Sequence, residues 1–362
     1  MNRNTGMSAG QTIGLINGLQ VVGLDIAKTV FQLHTVDMST GEIVNIQLKR
    51  AKVLEHFANH QPCLIGIEAC GGAHHWARQL KALGHSVRLI HAKAVRPFVQ
   101  GNKTDATDAR AIWLAVQQPG TKFVGVKTQQ QQATLTLHRQ RELLMKIKTM
   151  QNNALRGLLY EFGATFAKGK RALFSEIEAA LESLAQAIPQ YVADSLREQA
   201  QRIKQVEQDI KDIEQRLAQQ LKSEPSMKRV AQIPGVGLLT ATAAMATMGE
   251  ASAFKSGREF CAWLGLVPKQ RGTGGKVQLL GISKRGDSYL RTLLIHGARS
   301  VLMHSKQPGP WLEQIKARRP ANVVIVAQAA KMARTIWALT AKEQDYQRGY
   351  QSVRPCMNVQ AA

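Results

Sequence analysis

The first part of the chain alternates short apolar runs with polar breaks. Residues 21–27, 30–37 and 42–49 are rich in apolar and β-branched side chains, and the polar segment Ser39–Gly41 separates the second run from the third. Apolar runs bounded by turn residues predict strands, and this turn predicts a hairpin. The pattern near Val53–Asn59 predicts a helix.

Further along, apolar strands alternate with a helix. Residues 63–69 and 86–92 have the composition of buried strands, and residues 74–84 between them have a helical pattern. A strand, a helix and a strand at this spacing predict a parallel pair in an α/β domain. Another helix is predicted after Thr104, an N-cap residue. We place this domain at residues 19–160, after an N-terminal tail of residues 1–18.

The middle of the chain, residues 161–224, is helical and polar. Some of its apolar residues recur every seven positions, which predicts a short coiled coil and hence self-association. A single helix lying on a core would give a similar spacing. The residues of the repeat are Leu196, Ile203, Ile210 and Leu217 at one position, with Val206 and Ile213 at the other.

A third region, residues 225–345, is predicted to be mainly α-helical and to precede a tail of residues 346–362. It opens with Ile233–Gly237, whose sequence IPGVG resembles the hairpin of a helix-hairpin-helix element. A helix of small residues, a loop rich in Gly and Lys, and further helices follow.

Charge is the first indication of a partner. The chain of 362 residues has 48 basic and 25 acidic residues, a formal net charge of +23. Residues 225–362 hold 20 of the basic residues but only 6 of the acidic ones. Such an excess favours a nucleic acid partner, because basic side chains that neutralise phosphates release counterions.

Cysteine usage and hydropathy bear on the compartment. Four cysteines without close pairing predict neither a disulfide framework nor a zinc site, which fits a reducing cytosol. We see no signal peptide and no apolar stretch of membrane-spanning length. The sequence therefore predicts a cytoplasmic protein that does not contact a membrane.

Four carboxylates form the candidate reaction centre. Asp25 and Glu68 stand in otherwise apolar strands, where a charge is expensive unless it is paired or bound to metal. Asp105 and Asp108 share one face at the start of a helix. Singly, each could be a salt-bridged strand end or a first-turn helix charge. Together they predict an oxygen-only site for Mg²⁺, or Mn²⁺, suited to phosphodiester chemistry.

Six motifs, in this order, resemble those of the DEDD-type insertion-sequence transposases, relatives of the Piv invertase. The resemblance covers nearly the whole chain. The motifs are GLDIAK (23–28), GIEACGG (66–72), KTDATDARAI (103–112), IPGVGLLTA (233–241), FKSGREFCAWLGLVPKQ (254–270) and LLGISKRGDSYLRTLLIHGAR (279–299).

This resemblance implies a bacterial, nucleoid-associated protein with a RuvC-like, ribonuclease-H-fold domain followed by a C-terminal transposase domain. Asp25, Glu68, Asp105 and Asp108 would be the metal-holding D, E, D and D of the family. Members of the family move their element as a circular intermediate. Studied relatives use a structured RNA from the element to choose donor and target DNA, and they act as tetramers that share active sites between subunits.

The resemblance also implies a nucleophile in the C-terminal domain. In the family, a serine before a glycine, shortly after GLxP, bonds to DNA. Thr273, before Gly274, holds the matching position here, a departure that keeps the hydroxyl but adds a methyl. Thr273 is the favoured nucleophile and Ser283 is the alternative. The non-catalytic interpretation is a flexible Gly-rich turn in which Thr273 only bonds the backbone.

Basic residues and glycines near Thr273 are candidate nucleic-acid contacts. Each basic residue alone could be a solvated surface charge, and the IPGVG glycines could form an ordinary turn between packed helices. The residues predicted to contact phosphates are Gly235, Gly237, Lys269, Arg271, Lys276, Lys284, Arg285 and Arg291.

Three other functions compete with an RNA-guided DNA transposase. A junction nuclease that uses water would need only the N-terminal domain. A non-catalytic nucleic-acid-binding protein would explain the charge but not acids inside apolar strands. A sugar-kinase or actin-like ATPase would explain GLDIAK. However, we find no second Gly-rich phosphate loop, and a formal net charge of +23 does not fit such an enzyme.

Overall fold

The structure is a computed structural model that describes residues 15–16, 18–37, 39–102, 104–166, 170–184 and 186–350. Most of the two predicted tails lies outside these residues. The chain folds as two compact units, residues 1–130 and 131–362. The predicted domain boundaries at 160 and 224 are finer than this division and stay predictions.

A seven-stranded sheet forms the first unit, in the order β4-β3-β2-β5-β6-β7, with β1 paired to β2 outside this path. Its strands are β1 (Leu15–Ile16), β2 (Leu19–Asp25), β3 (Val30–Val36), β4 (Ile43–Lys49), β5 (Leu64–Glu68), β6 (Ser86–Ile90) and β7 (Phe123–Val124). Its helices are α1 (Val53–Ala58), α2 (Ala73–Ala82), α3 (Ala92–Val95) and α4 (Asp105–Gln117).

The pairing confirms the predicted mixed α/β architecture. β2, β3 and β4 are antiparallel neighbours, and β3 and β4 form the predicted hairpin, with Gly41 in the left-handed conformation at its turn. β5, α2 and β6 form the predicted strand-helix-strand unit with a parallel pair, and β5 is also parallel to β2. A mixed sheet with these helices is consistent with a DEDD nuclease-like fold.

Helix α4 lies very close to the sheet because the strands beneath it carry glycines. A Cβ on Gly23 would stand 2.2 Å from the carbonyl oxygen of Ala109, and one on Gly66 would stand 3.0 Å from Cβ of Val116. The Trp113 indole donates a hydrogen bond of 3.0 Å to the carbonyl of Val21. These contacts fix where α4 begins relative to the strand ends.

The second unit is mostly helical, as predicted. Its helices are α5 (Gln129–Glu161), α6 (Lys170–Ser183), α7 (Gln190–Ser223), α8 (Pro225–Ala231), α9 (Leu238–Met248), α10 (Gly257–Trp263), α11 (Ser288–His304), α12 (Pro310–Arg318) and α13 (Ala321–Lys342). Its strands are β8 (Pro268–Thr273) and β9 (Lys276–Ile282), and short 3-10 turns lie at Arg50–Lys52, Arg96–Phe98 and Ala251–Ala253 of the two units.

The two long helices α5 and α7 run antiparallel beside each other. Thr134 bonds Gln220 at 2.8 Å, Arg141 pairs with Glu214 at 2.7 Å and Lys148 pairs with Glu207 at 3.0 Å. Residue numbers rise along α5 as they fall along α7, which defines the direction. All three contacts lie within one chain.

The seven-residue repeat of α7 is buried without a second chain. At one position Leu196, Ile203, Ile210 and Leu217 are buried; at the other Ile213 is buried and Val206 is half-buried. Spacing alone therefore gives no reason for self-association, since one chain already covers these side chains. The alternative interpretation, a helix lying on a core, accounts for the same pattern.

The C-terminal helices enclose the largest apolar cluster, to which α8, α9, α10, α11 and α13 contribute. Helix α13 is long and apolar enough to span a membrane, and it is the single such helix in the part of the chain described. The expectation that no stretch reaches this length was wrong. Ile325, Met332 and Ile336 of α13 pack in this cluster, so apolar side chains of the helix are part of a protein core.

A β-hairpin replaces the predicted Gly- and Lys-rich loop. β8 and β9 pair antiparallel, with Thr273 opposite Lys276 and Gly274-Gly275 as the two turn residues. Both glycines have positive φ, 56° and 79°, as a tight two-residue hairpin turn requires. The prediction missed the strands because β8 carries no aliphatic side chain except that of Pro268. In β9, Val277 and Leu279 do alternate with polar residues, but over too few positions to outweigh the Gly- and Lys-rich composition.

Candidate active site

Two of the predicted carboxylates end neighbouring parallel strands. Asp25 is the last residue of β2 and Glu68 is the last residue of β5. The pairing of Leu24 with Ile67 puts the two acids side by side at one end of the sheet. Ligand sites of open α/β sheets lie beyond these carboxyl ends, and buried residues before each acid hold the backbone there.

The other two carboxylates lie in the first turn of α4. Thr104 caps the helix, since its hydroxyl accepts from the Thr107 amide at 3.2 Å while the Thr107 hydroxyl accepts from the Thr104 amide at 2.9 Å. Asp105 is exposed and Asp108 is half-buried. The predicted N-cap is therefore confirmed, and it fixes the direction in which α4 starts.

The pKa of Asp25 reflects the charges of the other three acids. Burial first, and then the charges of Asp108, Asp105 and Glu68, raise the pKa of Asp25 from 3.8 to about 6. Negative charges raise the pKa of a carboxylate in this way only when they lie close to it, because each one disfavours the ionised form. The centre therefore concentrates negative charge where the strands end.

The donor set fits a hard divalent cation, because it consists of carboxylate oxygens. A cation there would relieve the repulsion that raises the pKa of Asp25. Yet no three His, Cys, Asp or Glu side chains in the described ranges already form a set of metal ligands. The acids are within range of one another's charge, and side-chain adjustment is needed for them to share one ion.

Sequence reasoning did not single out Cys70 as a neighbour of this centre. Its thiol is exposed, and burial of part of the residue together with the charges of Glu68 and Asp25 raises its pKa. The motif GIEACGG contained the signal, because Cys70 follows Glu68 by two residues. A raised pKa keeps this thiol protonated and makes it a poor nucleophile.

Thr273 ends β8 at the tip of the exposed hairpin. Paired residues of antiparallel strands share a face, and so do residues two apart along one strand. Thr273 therefore shares its face with Arg271 and with its cross-strand partner Lys276. Gly272 and Val277 lie on the opposite face. The hydroxyl thus has two cationic neighbours and an unhindered approach from solvent.

Ser283, the alternative nucleophile, lies at the base of the hairpin. Its amide donates to the carbonyl of Val267 at 2.8 Å, and its hydroxyl accepts from the amide of Arg285 at 3.5 Å. The side chain is half-buried, and Lys284 beside it has a positive φ of 54°. Ser283 is therefore held in a structured turn, in contrast to Thr273.

The predicted phosphate-binding cations have unequal surroundings. Lys269, Lys284 and Arg285 are exposed, as a contact with a large polyanion requires. Arg291 instead donates from Nη1 to the carbonyls of Leu264 at 3.0 Å and of Arg285 at 2.9 Å. The Arg291 guanidinium thus stabilises the turn that follows the hairpin. A direct contact of Arg291 with phosphate stays a prediction.

The IPGVG segment joins α8 to α9. Gly235 has a φ of 84°, and a Cβ on it would stand 2.7 Å from the carbonyl oxygen of Gly297 on α11. Close packing against α11 therefore accounts for Gly235. Gly237 immediately precedes α9 and has open space around its missing side chain, so it is the one of the two where a phosphate could approach.

Two family models match the chain. A DEDD transposase model of the IS110 type, described as "Transposase", matches residues 22–163 and spans all four carboxylates. A second model, described as "Transposase IS116/IS110/IS902 family", matches residues 227–312 and spans the hairpin with Thr273 and Ser283. The two matches follow the order of the motifs.

Full-length relatives agree with these matches. A "Probable family 20 transposase" of Pseudomonas aeruginosa is 43% identical over 91% of this chain and 99% of its own length. The "Transposase for insertion sequence element IS1111A" of Coxiella burnetii is 38% identical over 91% and 92%, respectively. The "Transposase for insertion sequence element IS1328" of Yersinia enterocolitica is 34% identical over 89% and 97%. The chain therefore belongs to the DEDD-type IS110/IS116 family of insertion-sequence transposases.

Proposed function

We propose that this transposase cuts and rejoins DNA with a divalent cation held by Asp25, Glu68, Asp105 and Asp108, and with Thr273 as the residue that bonds to DNA. The observation that carries the metal site is geometric: Asp25 and Glu68 end adjacent parallel strands, and Asp105 and Asp108 begin the helix that packs on those strands. The raised pKa of Asp25 supports it. Transposases of the DEDD type generally use divalent metals. Mg²⁺ is the favoured ion and Mn²⁺ suits the same ligands.

Bound there, the cation would offset the charge of a phosphodiester and lower the barrier to attack on phosphorus. The protein's part is to hold the carboxylates at fixed strand ends. The glycines under α4 and the capping box of Thr104 support this role, since they define where Asp105 and Asp108 begin the helix.

The covalent step forms a bond between Oγ1 of Thr273 and a backbone phosphorus. The P–O bond to the neighbouring sugar breaks, that oxygen leaves as a DNA hydroxyl, and the threonine proton goes to solvent or to a nearby base. Attack by a DNA hydroxyl on the same phosphorus reverses the step and frees Thr273. Arg271 and Lys276, on the face of Thr273, would stabilise the charge on the phosphate oxygens.

The finer features of the family resemblance extend the proposal. A structured RNA from the element would select donor and target DNA, and a tetramer would combine the two halves of each active site from different subunits. The net charge of +23 supports a large polyanionic ligand.

The decisive experiment combines the full-length protein, RNA transcribed from the non-coding end of its element, matched donor and target duplexes and Mg²⁺. We expect a protein–DNA adduct that resists denaturant and maps by mass spectrometry to Thr273. Thr273→Val, which keeps the shape but removes the hydroxyl, should abolish the adduct, whereas Ser283→Ala should retain it.

Other outcomes separate the alternatives. An adduct on Ser283 would keep covalent recombination and refute Thr273 as the nucleophile. Strand cleavage without any adduct would favour a RuvC-like junction nuclease that uses water. Equal recombination without RNA would remove the guide from the proposal.

A further inference from the structure

A basic groove lies on the first unit, at the end of the sheet where the four carboxylates lie. Its volume is about 740 Å³. It is lined chiefly by Lys28, Thr29, Lys49, Arg50, His75 and Trp76. None of the described residues that line it is acidic, so the groove presents only positive and neutral groups to a ligand.

Topology places this groove at the same end of the sheet as the four acids. Lys28 follows Asp25, the end of β2, by three residues, and His75 lies in the first turn of the helix that follows β5. Lys49 ends β4, which pairs with β3 so that Lys49 is opposite Val30. The groove and the carboxylates therefore lie at the same end of the sheet but on opposite faces. The acids are on the face that Gly23 and Gly66 present to α4, and the groove is on the face where Trp76 packs.

Arg50 is held in place by several contacts. Its guanidinium lies 5.0 Å from the ring centroid of Trp76 and 5.8 Å from that of Phe31. Its amide donates to the carbonyl of Thr29 at 2.8 Å, and Nη1 donates to the carbonyl of Ala27 at 3.4 Å. A guanidinium oriented in this way loses little side-chain entropy when it binds an anion.

Lys28 and Lys49 supply mobile charges around this fixed one, since both side chains are exposed. Three cations facing one cleft, without a carboxylate in its lining, are suited to phosphodiester oxygens. Trp76, buried at 5% exposure, closes the apolar side of the groove. Contacts of this kind fix the position of a strand without reading its sequence.

We propose that this groove holds the backbone of the DNA strand next to the phosphodiester that lies at the carboxylates. The inference rests on the proposed function, because it assumes that the DNA strand is cut at that edge of the sheet. Lys28, Lys49 and Arg50 are then positioning residues, which orient the strand without touching the reacting phosphorus.

The test measures binding rather than cleavage. In the full chain carrying Asp25→Asn, Lys28→Ala and Lys49→Ala are each titrated with a short mixed-sequence single-stranded DNA over a range of salt concentrations. Each variant should bind about two- to fourfold more weakly, and the salt dependence of log K should fall by about 0.7 for each lost contact. Lys81→Ala, an exposed lysine at the far end of α2, should change neither quantity.

The outcomes separate this proposal from the proposed function. Unchanged DNA affinity and salt slope in both groove variants would overturn the groove, even if the wild type recombines DNA normally. Weaker binding of the element's RNA with unchanged DNA binding would overturn it as a DNA site. If the groove variants lose DNA affinity while Asp25→Asn leaves recombination intact, the carboxylate mechanism fails. The groove then stands as a DNA-binding site, and its role in positioning the strand at the carboxylates is overturned.

Discussion

Asp25 and Glu68 end two buried, adjacent strands, whereas Thr273 ends an exposed strand at the tip of a two-stranded hairpin. The acids are fixed by a packed sheet and by a helix that contacts it through Gly23. The threonine is fixed by one strand pair and a two-glycine turn. The proposed metal ligands thus depend on several elements that converge, whereas the proposed nucleophile depends on one hairpin that leaves it exposed to DNA.

The largest expected effect is at the carboxylates that the packed sheet holds in place. Asp25→Asn removes a ligand and one of four mutually repelling charges. Recombination should fall on the order of 1,000-fold, or ~4 kcal/mol in activation free energy. Because the repulsion also disappears, the melting temperature without divalent cation should stay equal or rise. The measurements are a recombination assay in cells and thermal unfolding of the purified protein.

The matched control for Asp25→Asn is Glu55→Gln, an exposed acid of the same unit that pairs with Lys52. It should leave recombination unchanged. Normal recombination by Asp25→Asn would contradict the carboxylate mechanism, and a large drop in its melting temperature would mean that Asp25 serves the fold.

A second prediction addresses the packing that positions α4. A methyl at Gly23 would clash with the carbonyl of Ala109, a backbone atom that can move only if α4 moves. Gly23→Ala should lower the free energy of unfolding by about 3 kcal/mol and reduce recombination as well. Gly281→Ala on the hairpin, where the methyl meets open space, should change stability by less than about 0.5 kcal/mol. Chemical denaturation measures both, and equal effects would refute the contrast.

A third prediction concerns a buried position in the second unit. It tests whether this unit has a packed core like that of the first unit, so that exposure is a property of the hairpin and not of the whole second unit. His138 is buried in the second unit and bonds Tyr289 at 2.9 Å and Thr242 at 3.0 Å. Burial first, and then the charge of Arg141, lower its pKa from 6.5 to about 4. The unfolded chain therefore binds a proton that the folded chain excludes between these values.

Stability from His138 is complete above about pH 6.5 and declines as the pH falls toward 4, by about 2 kcal/mol at about pH 5. His138→Gln should lower stability at neutral pH but flatten this decline, measured as the free energy of unfolding against pH. His304→Gln, at an exposed histidine, is the control and should keep the wild-type slope. The comparison is with the variant because the raised pKa of Asp25 adds an opposite slope that both proteins share. Equal slopes of wild type and His138→Gln between about pH 6.5 and 5 would contradict the assignment.

The difference between the two regions also explains what the sequence could predict. Strands β2 to β6 and the carboxylates at two of their ends follow from local patterns, because apolar runs and their boundaries are properties of neighbouring residues. The β8–β9 hairpin was missed because β8 is polar and the apolar alternation of β9 is limited to Val277 and Leu279. The basic groove was missed because Lys28, Lys49 and His75 become neighbours only through strand pairing and helix packing. The burial of Leu196 and Ile203 in the α7 repeat depends in the same way on Leu155 and Leu159 of a distant helix, α5.

The smallest expected effect is at the hairpin turn. Gly274 has a φ of 56°, and a Cβ on it would meet no atom within 4 Å, so the backbone conformation is the constraint there and space is not. Asparagine accepts this left-handed conformation, and Gly274→Asn should keep recombination within about twofold of wild type. Gly274→Val should weaken the turn by about 1–2 kcal/mol and lower recombination roughly tenfold, while global unfolding stays unchanged. A recombination assay together with denaturation separates the two effects. If both substitutions were harmless, the hairpin tip would not need its turn to present Thr273; if Gly274→Asn were as damaging as Gly274→Val, the tip would be in contact with another surface and would share the tight constraint of Gly23.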